Sequence, residues 1–269
     1  MIRLYKILGI ALFLPVLMQS CTDYEDAPQR VTVPEVYDGT TLDYLRNTEG
    51  YDSILYIIDR IPGLSDELES ARDIAFFAAD NNSVRHAMET LNRYRQTNNI
   101  GKDICLDSIL IKPFHVVDTI LSRKLDLEDP AVIEYDSIFV KRNFDYRMMM
   151  DSVMCRYVVN ANLGFDSMEE YGGFTRTTTF RYNQEMGVRA GRHDATGAVG
   201  LGTRHFELVD LNNSNVETNW IFANTACKEI RTRNGVIHFI TDEHEYGFNQ
   251  IIKKFKNRGT EKGVLTYAE

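Results

Sequence analysis

The chain has 269 residues, with 30 basic and 39 acidic side chains and a formal net charge of −9. That balance sets it against nucleic acid and anionic lipid as partners, because both would repel it. A hydrophobic fraction of 43% and an aromatic fraction of 11% exclude a disordered chain and leave length for one large core or two small ones.

Arg3 and Lys6 precede an apolar run from Ile7 to Met18, and the small residue Ser20 follows. This order makes a secretory signal, and the run is shorter than the roughly 20 residues that span a bilayer. Leu17-Met18-Gln19-Ser20-Cys21 resembles a bacterial lipobox, whose cysteine is acylated with palmitate-type chains and becomes the new N-terminus. Met18 and Gln19 depart from the usual Leu and small residue. The alternative is an ordinary signal peptide with a coincidental cysteine. Residues 1–20 are therefore expected to leave and Cys21 to carry lipid. Losing Arg3 and Lys6 leaves 28 basic against 39 acidic residues, a net of −11.

Thr22-Asp23-Tyr24-Glu25-Asp26 is similar to the acidic signal that exports some Gram-negative lipoproteins to the cell surface, although any solvated tether is also acidic. Pro28 and Pro34, with no helical repeat around them, suggest an extended tether over residues 21–38. The expected location is the outer membrane, lipid-anchored and facing the cell surface, with the periplasmic face as the alternative. With Cys21 acylated, Cys105, Cys155 and Cys227 remain. They allow one disulfide at most and have no metal-like spacing, so buried free thiols are expected.

Leu42, Leu45, Ile54, Leu55, Ile57, Ile58 and Ile61 mark two short amphipathic helices. Asp52 or Ser53 is placed to cap the second. Pro62-Gly63 breaks it, and Leu64 to Glu69 adds a further turn. Ile74 to Ala78 reads as a buried strand, Asp80 to Ser83 punctuate it, and Val84, Met88, Leu91 and Tyr94 share a helical face. Residues 97–140 mix strand-like and irregular signals, with Pro113 and Pro130 limiting regular structure. A helix bearing Met148, Met149, Met150, Val153 and Met154 follows, read as a core stripe. Strands are expected at Tyr157–Val159, Thr177–Tyr182, Met186–Val188, Phe206–Val209, Cys227–Thr232 and Val236–Ile240, and a closing helix at 248–256. Helices first and strands later give an α+β class.

Three segments carry a family likeness. Thr41 to Leu45 opens a block ending in Ile74-Ala75-Phe76-Phe77-Ala78-Ala79-Asp80-Asn81-Asn82-Ser83-Val84, which resembles the first signature of fasciclin domains, with Ala79 and Asp80 in place of the usual Pro and Thr. Val153 to Val159 resembles the family's central motif, but Arg156 and Tyr157 stand where Tyr and His are usual. Asn234-Gly235-Val236-Ile237-His238-Phe239-Ile240 is similar to the second signature. Trp220, Thr225, Ile230-Arg231-Thr232 and His244 to Phe248 are similar to bacterial lipoprotein members.

The resemblance spans 39–257, with 97–140 as an insertion and 258–269 as a tail. It implies a fasciclin-like β-wedge of two sheets with packed helices, acting in cell adhesion or extracellular interaction rather than catalysis. The altered central motif does not carry over the adhesive activity tied to it. Implied partners are an outer-membrane protein, such as nutrient-uptake machinery, or an extracellular glycan or peptide.

The residues offer little chemistry. Asn234-Gly235 reads as a turn whose residues tolerate positive φ. His238 inside an apolar strand reads as a core histidine bonded to backbone. His238 and His244 with Asp242, Glu243 and Glu245 fit no zinc or calcium spacing. His193, Asp194, His205 and the serines form no recognisable triad, and no nucleophile elbow appears. Gly197 to Gly202 lacks a phosphate-loop lysine and reads as a turn between strands. No catalytic, cofactor or metal residue is therefore assigned, and a hydrolase with an unrecognised site is the alternative function. Trp220 suits a sugar-stacking platform or, given Ile221 and Phe222, a core or subunit contact. An Asp, hydroxyl, apolar triplet recurs around Ser53, Ser108, Thr119, Ser137, Ser152 and Ser167. It resembles the O-glycosylation acceptor of some exported bacterial proteins, and helix capping explains several of the six as well.

Overall fold

The computed structural model describes residues 35–125, 133–169, 174–192, 197, 202, 204–241 and 243–267. The signal segment, Cys21, the tether to residue 34, Pro130, His193, Asp194 and Asp242 lie outside the described residues. Residues Pro34 to Glu269 form one compact unit.

The chain is α+β, as the order of its elements implies. Helices α1 (Thr41–Arg46), α2 (Asp52–Arg60) and α3 (Leu64–Ser70) precede strand β2 (Ile74–Ala78) and the long helix α4 (Asn81–Thr97). Thr40 and Asp43 cap α1 reciprocally, each side chain bonding the other's backbone N–H. The cap of α2 differs from expectation. Tyr51 occupies the N-cap without a side-chain capping bond, and Asn81, from the start of α4, accepts the Ser53 N–H at 2.8 Å. Asp80 caps α4, accepting from the Ser83 amide and hydroxyl.

The main sheet runs β5-β2-β10-β9-β8-β7-β6. Its two limbs meet in the twelve-residue strand β9 (Ile221–Thr232). Ile221 to Asn224 pair antiparallel with β8 (Arg204–Asp210), and Thr225 to Thr232 pair with β10 (Gly235–Ile240). β10 lies parallel to β2 on its other side, and every residue of both strands is buried. β5 (Val158–Val159) pairs with β2 at one end. At the other end β7 (Glu185–Arg192) bridges β8 and β6 (Phe174–Thr178). The expected strand at Thr177–Tyr182 thus begins earlier and ends in a turn, with Tyr182 and Asn183 at positive φ. Gly197 to Gly202 falls between the paired ends Arg192 and Arg204 of β7 and β8, and Gly197 sits at φ +83°.

Three boundaries move. Glu35–Val36 form β1, parallel to β9, so the end of the supposed tether already belongs to the sheet. Residues 97–140 are more regular than their prolines suggest. After the short helix α5 (Leu106–Ile109), β3 (Phe114–Leu125) and β4 (Ile133–Phe144) form a paired hairpin over twelve residues each. The supposed tail returns as β11 (Val264–Tyr267) on the other edge of β3, giving a separate sheet of order β11-β3-β4.

Helix α6 (Tyr146–Met154) buries Met150, Val153 and Met154 but exposes Met148 and Met149. Consecutive residues turn by about 100°, so three methionines in a row cannot share one face. After α6 come a 3₁₀ turn (Cys155–Tyr157) and helix α7 (Phe165–Glu169), and α8 (Gln250–Phe255) closes the unit with Ile251 and Phe255 inward. Of Cys105, Cys155 and Cys227 only Cys155 is buried; Cys105 is exposed and Cys227 half-buried.

Candidate interaction surface

His238 and His244 are structural. His238 is fully buried, and its Nε2 bonds the Leu163 carbonyl oxygen at 2.7 Å. Phe77, Phe165 and Phe206 surround its ring. Burial pulls its pKa down to about 4, so it is neutral at physiological pH. His244 bonds the Tyr157 hydroxyl at 2.7 Å and is likewise held at about 4 by burial. Tyr157 stacks on Tyr246 and Phe248 inside the core. Its neighbour Arg156 forms a buried ion pair with Asp210 at 3.0 Å. The segment resembling an adhesive motif is thus inside the protein, locked by aromatic stacking and one ion pair. Among the described residues no three His, Cys, Asp or Glu side chains gather as metal ligands.

Trp220 stacks on Phe174 at 4.8 Å, and its indole N–H donates to the Ser214 carbonyl. The ring therefore anchors the 211–215 loop. The six candidate glycosylation hydroxyls share no structural role. Ser108, Ser152 and Ser167 donate to carbonyls three residues back, and Ser53 lies in the first turn of α2. Thr119 and Ser137 are exposed on β3 and β4.

Among the described residues, two of the clefts are shallow and open to solvent. One, of about 320 Å³, is lined by Asn162, Gly164, Asp166, Ser167, Arg231 and Thr232 among others. Its charged rim is already paired, with Arg231 bonding Asp166 and the buried carboxylate of Glu229. The other, of about 400 Å³, lies between the 183–185 and 211–215 turns. Neither gathers a nucleophile with a base.

The feature that departs most from a solvated surface is the β3–β4 hairpin. At its base Phe114 and Val116 are buried, and Phe114 stacks on Phe144 and Tyr146. The Arg258 guanidinium lies 4.9 Å over Phe114 and 5.1 Å over Tyr146. Glu261 accepts from Arg258 and from the Tyr146 hydroxyl. Farther out the burial ends, and the apolar residues continue. Leu121 is 65% exposed and Phe139 72%, with Ile120 and Ile138 each at 49%. The register puts Thr119 opposite Phe139 and Ile120 opposite Ile138, so one face carries Leu121 and Phe139 and the other carries both isoleucines. Val264 of β11, 73% exposed, extends the first face beside Val117. Single exposed apolar residues are common, but here Leu121, Phe139 and Val264 share one face and Ile120 and Ile138 the other, so both faces of one small sheet expose apolar side chains.

These exposed faces were not legible because residues 97–140 carry mixed strand-like and irregular signals and were expected to be an insertion. The signal that could have exposed them is the apolar cluster Ile138-Phe139-Val140 set between charged residues.

No family model matches the chain, and no curated protein matches it. Among solved structures it is similar to a FAS1 domain pair from the insect cell adhesion molecule Fasciclin I. The identity is 11% and the TM-score 0.38, over 73% of this chain. The chain spans 45% of the length of that one. No function is carried over from it.

Proposed function

We propose that this chain is a lipid-anchored, non-enzymatic interaction module of the bacterial outer membrane, and that it engages its partner through the β3–β4 arm. The observation that carries the reading is the arm itself, clamped at its base and apolar on both faces beyond it. Burying apolar area contributes about 25 cal/mol per Å², so Phe139, Leu121, Ile120 and Ile138 form an attachment point that water disfavours. The lipobox-like run ending at Cys21 supports the anchor. The fasciclin-like segments at Ile74–Val84 and Asn234–Ile240 support an adhesive or interaction role.

Two experiments test it. Labelling with radioactive palmitate should mark the wild type and leave Cys21→Ser unmarked; an unmarked wild type removes the anchor. Chemical crosslinking in native membranes should give a discrete adduct that Phe139→Ser abolishes. An unchanged adduct pattern removes the arm.

A further inference from the structure

β4 is the outer strand of its sheet, and among the described residues nothing pairs with its second edge. Twelve residues of strand therefore leave alternate N–H and C=O groups without a sheet partner. Proteins usually protect such an edge with proline, a bulge, a very short strand or charged side chains, and on β4 only the charges are present. β4 has no proline, and its pairing with β3 is continuous from Ile133 to Phe144. The charges are ordered. Glu134 and Asp136 stand in the first half, Lys141 and Arg142 in the second, with Ile138-Phe139-Val140 between. A strand that is acidic at one end, basic at the other and apolar in the middle is complementary to itself run antiparallel.

We infer that this edge pairs with the same edge of a second copy across a two-fold axis, joining two three-stranded sheets into one of six strands. This rests on the arm being the docking element and names its partner. Facing residues of an antiparallel pair lie on one side of the sheet, so only registers joining residues of equal parity are allowed. The register centred on Phe139 satisfies the charges and the apolar core together. It sets Phe139 against its own copy, Ile138 against Val140, and Asp136 against Arg142 twice. Arg142 already pairs with Asp118 at 2.7 Å and is half exposed, and the guanidinium has five donors to share. The paired segment adds no net charge, and the repulsion between two acidic copies is screened beyond about 8 Å at physiological salt.

The test uses the full-length lipidated protein in nanodiscs, in a Cys105→Ser background to remove the exposed native thiol. Phe139→Cys should form an intermolecular disulfide on mild oxidation, because facing Cα atoms are about 4.5 to 5.5 Å apart. Leu121→Cys is comparably exposed but lies three strand spacings across and four residues along from its copy, about 20 Å, and should not. In sedimentation of detergent-solubilised protein, Asp136→Arg and Arg142→Glu should each weaken dimerisation about tenfold or more. Combining them should restore it.

A monomer at about 100 μM, equal crosslinking at both cysteines, or no rescue by the double reversal would overturn self-pairing. A Phe139-dependent adduct of another mass in native membranes, with the purified protein monomeric, would overturn self-pairing and leave the arm as a docking element. The absence of any adduct would end both.

Discussion

Asn234 and Gly235 show how a turn signal can be right for another reason. Neither residue is at positive φ. Asn234 is a buried hub: its Oδ1 accepts from the Thr41 amide and hydroxyl at 2.9 Å each, and its amide donates to the Leu68 carbonyl. It ties α1 and α3 to the β9–β10 turn. Gly235 is needed for close approach, since a Cβ there would lie 2.1 Å from the Ile74 carbonyl oxygen of the neighbouring parallel strand. Asn234→Ala should cost about 2 to 3 kcal/mol by orphaning buried polar groups, and Gly235→Ala about 3 kcal/mol by overpacking. Urea unfolding measures both, and a loss below about 0.5 kcal/mol at either position would refute its role.

The buried histidines make a pH prediction at the same scale. His238 and His244 titrate at about 4 when folded, against an ordinary 6.5. Between those values the unfolded chain binds more protons, so stability is complete above pH 6.5 and is lost as pH falls toward 4. At pH 5 the loss is about 2 kcal/mol for each histidine. Wild type should therefore lose about 4 kcal/mol between pH 7.5 and 5, and His238→Asn about 2. Equal losses in the two proteins would contradict the assignment.

Among the elements, the arm depends on a clamp distant in sequence. Arg258 covers Phe114 and Tyr146 and meets Glu261, joining the C-terminal segment to the hairpin base and α6. Arg258→Ala should destabilise the base by about 2 kcal/mol through lost stacking and pairing. Arg258→Lys should recover only part of this, because ammonium lacks the planar fork. Hydrogen exchange at Val116 and Phe144 reads the effect, and unchanged protection in Arg258→Ala would refute the clamp.

Legibility varied by element for identifiable reasons. β2 and β10 were plain in the sequence because strands buried on both faces are continuous apolar runs. Helix α4 announced itself through the polar run Asp80 to Ser83 and its spaced apolar face, and the structure shows Asp80 as its cap. β4 was hidden because it is exposed on both faces and so lacks alternation, and Pro130 precedes it closely. β11 has only four residues and is defined by pairing with a strand far away in the chain. The run Thr175 to Thr179 is uniformly strand-prone, so nothing local fixed where β6 ends. In the core, the role of His238 was legible from its apolar neighbours. The Tyr157–His244 bond was not, because it joins segments separated by most of the β-rich half.

At the scale of the whole molecule, an α+β body with a structural polar interior carries an apolar arm, and the proposed lipid attachment at Cys21 would moor it. No helix of the described residues is long and apolar enough to cross a membrane. A single myristoyl-type chain holds a protein only marginally, and stable anchoring takes more than one signal. Cys21→Ser should therefore move the protein from the membrane fraction into the soluble fraction of cell extracts. Retention of the variant in membranes would exclude the lipid as anchor.

The most direct test of the central claim is photocrosslinking in intact cells, with a benzophenone amino acid placed at Phe139. The account predicts a single discrete adduct that disappears when Cys21 is replaced by Ser. An uncrosslinked chain, or a smear no different from that given by the same probe at exposed Tyr182, would contradict it.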